Sequence, residues 1–333
     1  MQNLVTVFGG SGFVGKPAVR QLAKAGWRIR VAVRNPAKAY AMRLQGDVGQ
    51  IDIVQANVRN AASVRRALEG ATAAVNLVAV AHETGRQGFQ ALHVMGAQTV
   101  AEQAKAAGVG RLAHVSAIGA DAASESKYAR TKGEGEAAVR AAFPDAVVIR
   151  PSVVFGPEDN FFNRFAAMAQ VSPVLPLVGG GDTRFQPVFV GDVAKALAKA
   201  CADPACAGRT YELGGPAAFS FRQLMELMLS EIGKRRLLLP VPWGPAAALG
   251  TLGDLSLAVL GDGLIVPPIT RDQVRLLKHD NVAAAGLPGL ADLGVTPTTL
   301  EAVLPSYLYR YRKGGQYADQ EDRELAAVSL SPS

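Results

Sequence analysis

Short apolar runs alternate with amphipathic stretches through the first half of the chain. Leu4 to Phe8 is an apolar run of strand length, and a helical stretch follows it through Gly26. Strands are predicted at Arg28 to Arg34 and Ile51 to Ala56, a helix at Ser63 to Leu68, and a buried strand at Ala73 to Val80. Gly88 to Gly108 predicts a helix, Arg111 to Ser116 a strand, Tyr128 to Ala142 a helix ended by Pro144, and Ala146 to Pro151 another strand. Strands and helices of these lengths, taken in alternation, pack as right-handed βαβ units. The pattern therefore predicts an α/β fold built on a doubly wound parallel sheet.

Beyond Pro151 the periodicity loosens. Phe155 to Gly181 mixes loops with one helix, Pro187 to Val190 and Thr210 to Leu213 predict short strands, and Phe221 to Ile232 predicts an amphipathic helix. Leu237 to Pro268 is apolar but broken by Pro240, Pro242, Pro245, Gly250, Gly253 and Asp254. The stretch from about Gly314 onward is polar and expected to be loose. The expected organisation is a sheet domain over residues 1–155 and a smaller, mainly helical C-terminal lobe over 156–313. Short strands near 187–190 and 210–213 are expected to return to the core, and 314–333 forms a polar tail.

With 333 residues, 49% of them hydrophobic and 19% charged, the chain buries a large core, which excludes wholesale disorder. The net charge of +7 favours phosphate-bearing ligands, anionic lipid or acidic proteins, or else marks no more than a solvated basic surface. No zinc-finger or aromatic-interleaved basic motif is present, so no nucleic-acid partner is expected. Cys201 and Cys206 are the only cysteines, so neither a disulfide framework nor a metal site is expected, and a reducing compartment is. No run of about 18 apolar residues predicts a spanning helix. The first strand begins almost at Met1, leaving no room for a leader. A soluble or peripheral chain facing the cytoplasm is expected.

Gly9, Gly12 and Gly15 stand as Gly-x-x-Gly-x-x-Gly directly between the first strand and the first helix. Gly9 suits a tight turn, Gly12 lets backbone approach a pyrophosphate, and Gly15 lets helix and strand pack closely. With Ser11, Phe13 and Val14 they bring the unpaired N–H groups of a helix N-terminus to a phosphate. This is the arrangement of a Rossmann-type dinucleotide site. NAD-binding versions end strand two in an acid that takes the ribose 2′-OH. Here the strand reads Val31-Ala32-Val33-Arg34, so Arg34, assisted by Lys38, is expected to pair with a 2′-phosphate. NADPH is the expected cofactor, ahead of NAD. Asn57 and Val58 are placed to flank the adenine, and Val78 and Ala79 to pass beneath the ribose and pyrophosphate.

Ser116 ends strand five, and Tyr128 and Lys132 share one face of the next helix. A nearby ammonium stabilises a phenolate, a serine hydroxyl polarises a carbonyl, and Lys132 is in reach of the nicotinamide ribose. Together with Gly-Gly-Ser-Gly-Phe-Val-Gly at 9–15 and Ile-Arg-Pro-Ser-Val-Val-Phe-Gly at 149–156, this resembles the short-chain dehydrogenase/reductase superfamily in its extended or atypical branch. The resemblance implies that Pro151, Ser152 and Val153 close over the nicotinamide. Two departures leave turnover open. Ser116 and Tyr128 are only a dozen residues apart, and His93 stands where many extended members carry asparagine.

The second half narrows the resemblance. Gly133-Glu-Gly-Glu136, Phe143-Pro144, Phe155 to Asn163, Gln186 to Val190 and Asp192-Val193 run in order. Pro268 to Val274, Leu287 to Gly294 and the basic aromatic run Tyr307 to Arg312 follow. This series is similar to the nucleotide-binding accessory subunit of respiratory complex I, called alpha-subcomplex subunit 9 in mitochondria. The resemblance implies a tightly held NADPH that feeds no electrons to the iron–sulfur chain. It implies docking on peripheral-arm subunits near the membrane and quinone chamber, here at the cytoplasmic face of a bacterial inner membrane. Gly233-Lys-Arg-Arg236, ahead of the apolar segment and Trp243, suits anionic lipid or a partner surface; the alternative is an ordinary lobe over the cofactor. Tyr307 to Lys313 is either a solvated helix face or a contact with acidic subunits. The rival functions are an independent NADP-dependent oxidoreductase, epimerase or sterol-type dehydrogenase, and a nucleotide-sensing regulator without chemistry.

Overall fold

The computed structural model describes residues 3–260 and 269–317. The predicted polar tail from residue 318 onward lies outside the described residues, as do 261–268 of the apolar segment. Seven parallel strands form the central sheet: β1 (Leu4–Phe8), β2 (Arg28–Val33), β3 (Ile51–Gln55), β4 (Ala73–Asn76), β5 (Arg111–Val115), β6 (Val147–Pro151) and β11 (Thr210–Leu213). Their spatial order is β3-β2-β1-β4-β5-β6-β11. β1 pairs with β2 on one side and β4 on the other, so the winding reverses there. A crevice opens beyond the carboxyl ends of strands at such a switch point.

The strands are apolar on both faces because helices cover both. Val5 and Val7 of β1 pack with Ala18, Val19 and Leu22 of α1 (Gly15–Lys24) and with Val193 and Leu197 of α6 (Val190–Ala202). Phe8 faces the other way, towards α2 (Ala61–Leu68) and α3 (Ala97–Ala106), through Leu68, Val100 and Ala104. Thr6, the polar position on β1, is fully buried and satisfied, donating its hydroxyl to the Ala67 carbonyl at 2.7 Å. α4 (Lys127–Ala142) completes that layer. Cys201 and Cys206 are buried and not joined in a disulfide, and burial pushes the Cys201 thiol up to about 12.

Several elements differ from the predicted pattern. β4 stops at Asn76 rather than Val80, because the Asn76 side chain accepts the Val78 N–H at 3.2 Å and turns the chain out of the sheet. The helix predicted from Gly88 opens as a π-helical turn over Gln90–Gly96 before α3 begins. Of the two short strands expected to return to the core, β11 joins the main sheet beside β6. β10 (Val188–Phe189) instead pairs with β7 (Val154–Phe155), apart from it.

The lobe is built around phenylalanine. Phe155, Phe162, Phe185 and Phe221 are buried with Phe161, Phe165 and Phe189 against them, ring centroids 5.1–6.2 Å apart. Two further small sheets pair β8 (Val174–Val178) with β13 (Leu237–Val241), and β9 (Arg184–Phe185) with β12 (Phe219–Ser220). The lobe's helices are α5 (Phe162–Val171), α7 (Phe221–Glu231), α8 (Trp243–Leu260), α9 (Arg271–Leu276), α10 (Leu300–Val303) and α11 (Pro305–Leu308). The basic aromatic run is used internally. Tyr307 is buried and donates to Asp159 at 2.5 Å, Arg310 donates to the Pro157 carbonyl, and Arg312 pairs with Glu231 at 3.0 Å. No helix among the described residues is long and apolar enough to cross a membrane.

Candidate functional site

At the switch point the chain leaves β1 through Gly9, whose φ of +80° is open to glycine without strain. Gly12 N donates back to the Gly9 carbonyl at 3.0 Å, closing the turn. A Cβ on Gly15 would stand 2.4 Å from the Gly9 carbonyl oxygen and 2.5 Å from the Gly10 carbonyl carbon. α1 therefore rests on the turn itself, its N-terminus aimed along the crevice. A cleft of about 250 Å³ lies in front, lined by Gly9, Ser11, Gly12, Arg34, Asn57, Val58, Val78 and Ala79, with Arg59, Val80 and Gln87. The glycine backbone fits a pyrophosphate, and a Cβ at Gly15 would push the turn into that space. Phe13, Val14 and Gly15 stand behind the turn at the start of α1, and Lys38 lies outside the cleft on an exposed 3-10 segment (Pro36–Gln45).

Two guanidinium groups mark the end of the cleft at β2 and β3. Arg34 donates to Gln87 Oε1 at 2.7 Å, and Arg59 donates to the Arg86 carbonyl at 2.7 Å. The segment after β4 thus crosses the cleft, and Lys127 pins it at the far side through Glu83 at 2.5 Å. Among the described residues, no acidic side chain lines this cleft. An anionic group there meets a positive field.

Ser116, Tyr128 and Lys132 lie beyond this lining, around β5 and α4. Ser116 is buried, and its Oγ has no hydrogen-bond partner among the described residues. Lys132 is also buried, and its Nζ donates to the Val115 carbonyl at 3.0 Å. Burial pushes the Lys132 ammonium down to about 8, against an opposing pull from Glu136. Lys132 is turned to the backbone, and burial pushes the Tyr128 phenol up to about 12. Pro151 ends β6, and the loop after it is held by Asn281, whose side-chain oxygen lies 2.7 Å from Ser152 Oγ and accepts the Val153 N–H at 3.1 Å.

A lysine whose folded-state pKa is about 8 and whose unfolded value is 10.5 costs the fold about 3 kcal/mol. The penalty is full below pH 8 and fades as pH climbs from about 8 to 10.5. Lys132→Met is expected to stabilise the protein by roughly 1–2 kcal/mol at pH 7, once the lost bond to Val115 is deducted, with a smaller gain at pH 10. Urea unfolding at both pH values measures this. A variant less stable than the parent at pH 7 contradicts it.

The model of the NAD dependent epimerase/dehydratase family matches residues 5–214. Over 93% of its length the chain is 35% identical to NADH dehydrogenase (ubiquinone) 1 alpha subcomplex subunit 9, mitochondrial, of Mus musculus, covering 80% of that protein. The chain belongs to the epimerase/dehydratase family and, within it, to that of alpha subcomplex subunit 9. It is also 33% identical, over 61% of its length and 62% of the relative, to a ceramide reductase of Caulobacter vibrioides. Among solved structures, a dTDP-glucose 4,6-dehydratase from Streptomyces venezuelae with NAD bound superposes with TM-score 0.69 at 22% identity, covering 97% of this chain and 98% of that one. That likeness shows the NAD(P)-binding fold.

The sequence left two residues without a role: Asp272, at α4, and Asn281, at the loop after β6. Asp272 Oδ1 accepts the Lys127 N–H at 2.7 Å, and Oδ2 accepts the Ser126 hydroxyl and the Tyr128 N–H at 2.9 Å each. A carboxylate from the lobe thus caps the helix that carries Tyr128 and Lys132. The capping box Thr270–Gln273 marks the start of α9 in the sequence, but nothing local signals its bond to α4. Asn281 is equally silent. The buried pair Asn76 and His114, 3.2 Å apart below the site, was also unforeseen.

Proposed function

We propose that this chain is an NADP(H)-binding accessory subunit of respiratory complex I that keeps its dinucleotide as a structural ligand. The observation that carries the reading is the extent of the similarity to subunit 9, which runs through the lobe as well as the sheet domain. The epimerase/dehydratase family model, by contrast, matches only residues 5–214. Gly9, Ser11, Gly12, Phe13, Val14 and Gly15 would hold the pyrophosphate, and Asn57, Val58, Val78 and Ala79 the adenosine and ribose. Arg34, with Arg59 lining the same cleft, favours a 2′-phosphate and hence NADPH over NAD. Ser116, Tyr128, Lys132 and Pro151 to Val153 would enclose the nicotinamide, whose chemistry when bound is hydride transfer.

Retention without turnover is supported by Lys132, whose Nζ donates to the Val115 carbonyl. A ligand at about 100 times its Kd stabilises its fold by roughly 2.7 kcal/mol, enough to make assembly depend on occupancy. Docking has a physical basis in the exposed Leu237, Leu239, Leu249 and Leu252, which follow Lys234, Arg235 and Arg236. Partners would be peripheral-arm subunits near the quinone chamber, on the membrane's cytoplasmic face.

The test is to tag the chain in its native host, extract the membranes in mild detergent and identify what co-purifies. Stoichiometric complex I subunits with NADH:quinone activity and one NADPH per chain are expected. A solitary protein that oxidises NADPH against carbonyl substrates would establish the second reading, an independent reductase. That alternative draws on the unpartnered Ser116 hydroxyl and the ceramide reductase relative.

A further inference from the structure

His93 occupies the place between the cleft and the Tyr128 helix, and its surroundings fix what it does. It is buried in the π-helical turn at Gln90–Gly96, a local geometry that recurs at functional sites. Its Nε2 accepts the N–H of Val80, a cleft residue, at 3.2 Å. A neutral imidazole with Nε2 as acceptor carries its proton on Nδ1. Nδ1 lies 3.1 Å from the Thr131 hydroxyl, which therefore receives that proton's hydrogen bond. Thr131 passes its own proton to the Lys127 or Tyr128 carbonyl, at 2.8 and 3.1 Å. Every donor in this chain has an acceptor, and the direction runs one way from the cleft wall to α4.

Packing holds the ring in that orientation. Phe89 stacks on it at 5.1 Å, and Tyr128 meets it edge-on at 5.4 Å. A Cβ on Gly135 would stand 2.1 Å from the His93 carbonyl oxygen, so α4 and the π-helical turn touch backbone to backbone. Burial, then the Lys132 charge, pushes the imidazole down to about 3, which keeps it neutral.

We propose that His93 is a positioning residue that joins the cleft wall at Val80 to the helix bearing Tyr128 and Lys132, setting the grip on the nicotinamide half of the dinucleotide. The inference rests on the dinucleotide reading above. On the same reading the adenosine half is held at Arg34 and the glycine turn, neither of which bonds to His93. His93→Leu fills the space but breaks both bonds. His93→Gln retains an acceptor for Val80 and a donor for Thr131.

The experiment measures binding of NADPH and of adenosine 2′,5′-bisphosphate to the full chain and these variants. In parallel, 15N spectra of the parent at pH 7 read the His93 tautomer. Expected are a loss of about tenfold or more in NADPH affinity for His93→Leu, unchanged bisphosphate affinity, and recovery to within about threefold in His93→Gln. The parent should show the Nδ1–H tautomer. Equal losses for both ligands, His93→Gln as weak as His93→Leu, or an Nε2–H tautomer would each overturn the proposal. If His93→Leu does not fold, Thr131→Val and the parent tautomer decide it, with the same selective loss expected. A parent that binds neither ligand would instead refute the dinucleotide reading.

Discussion

NADPH binding is expected to fall by about 100-fold or more when Gly15 is replaced by alanine, with a stability loss of roughly 2–3 kcal/mol. The added methyl carbon meets backbone, 2.4 Å from the Gly9 oxygen and 2.5 Å from the Gly10 carbonyl carbon, and backbone cannot rotate aside as a side chain can. Either α1 lifts from the turn or the turn moves into the cleft. The first withdraws the helix N-terminus from the phosphates, and the second occupies their place. Fluorescence titration with NADPH and urea unfolding read the two consequences separately. Affinity within about threefold of the parent would mean that α1 does not rest on the Gly9–Gly10 turn.

Arg34→Ala is expected to act on cofactor choice rather than on binding as such. A charge-assisted pair with a phosphate contributes about 1.5–3 kcal/mol, so NADPH affinity should fall roughly 10- to 150-fold while NADH affinity stays within about threefold. The bond from Arg34 to Gln87 is lost for both ligands alike and so cancels from the comparison. Calorimetry with the two cofactors is the measurement. An equal loss for both would show that Arg34 only braces the segment crossing the cleft.

The central sheet was readable because each of its strands is a short apolar run between turn signals, and the covered sheet leaves little choice of face. The glycine turn and Arg34 were readable for a related reason: their chemistry is local, set within one βα unit. The lobe was harder to read. β7, β9, β10 and β12 are two residues each, too short for any period, and phenyl rings from distant segments hold them in place. The π-helical turn before α3 has the same amphipathic spacing as a helix start, and only the close approach of Gly135 reveals it. The contacts that complete the site were the least readable. Asp272 reaches α4 across 144–146 residues and Asn281 reaches Ser152 across 129, and neither has a local signature. The direction of the Tyr128 shift comes from burial, which spacing along a helix does not determine.

The origin of those two residues has a consequence for biosynthesis. A chain emerging from the ribosome presents β1 to β6 and α4 long before Asp272 exists to cap α4 or Asn281 to hold the loop after β6. Elongation at about 5–20 residues per second places Asn281 some 6–26 seconds behind Ser152. For the first part of that interval, until Leu213 is made, β6 is also the unpaired margin of the sheet, because its neighbour β11 has yet to be completed. The nascent chain therefore has the glycine turn early and the Asp272 and Asn281 contacts only at the finish. On the proposed reading, loading of the whole dinucleotide would be a late event in the making of this protein, and full occupancy would report that the C-terminal lobe has been synthesised and folded.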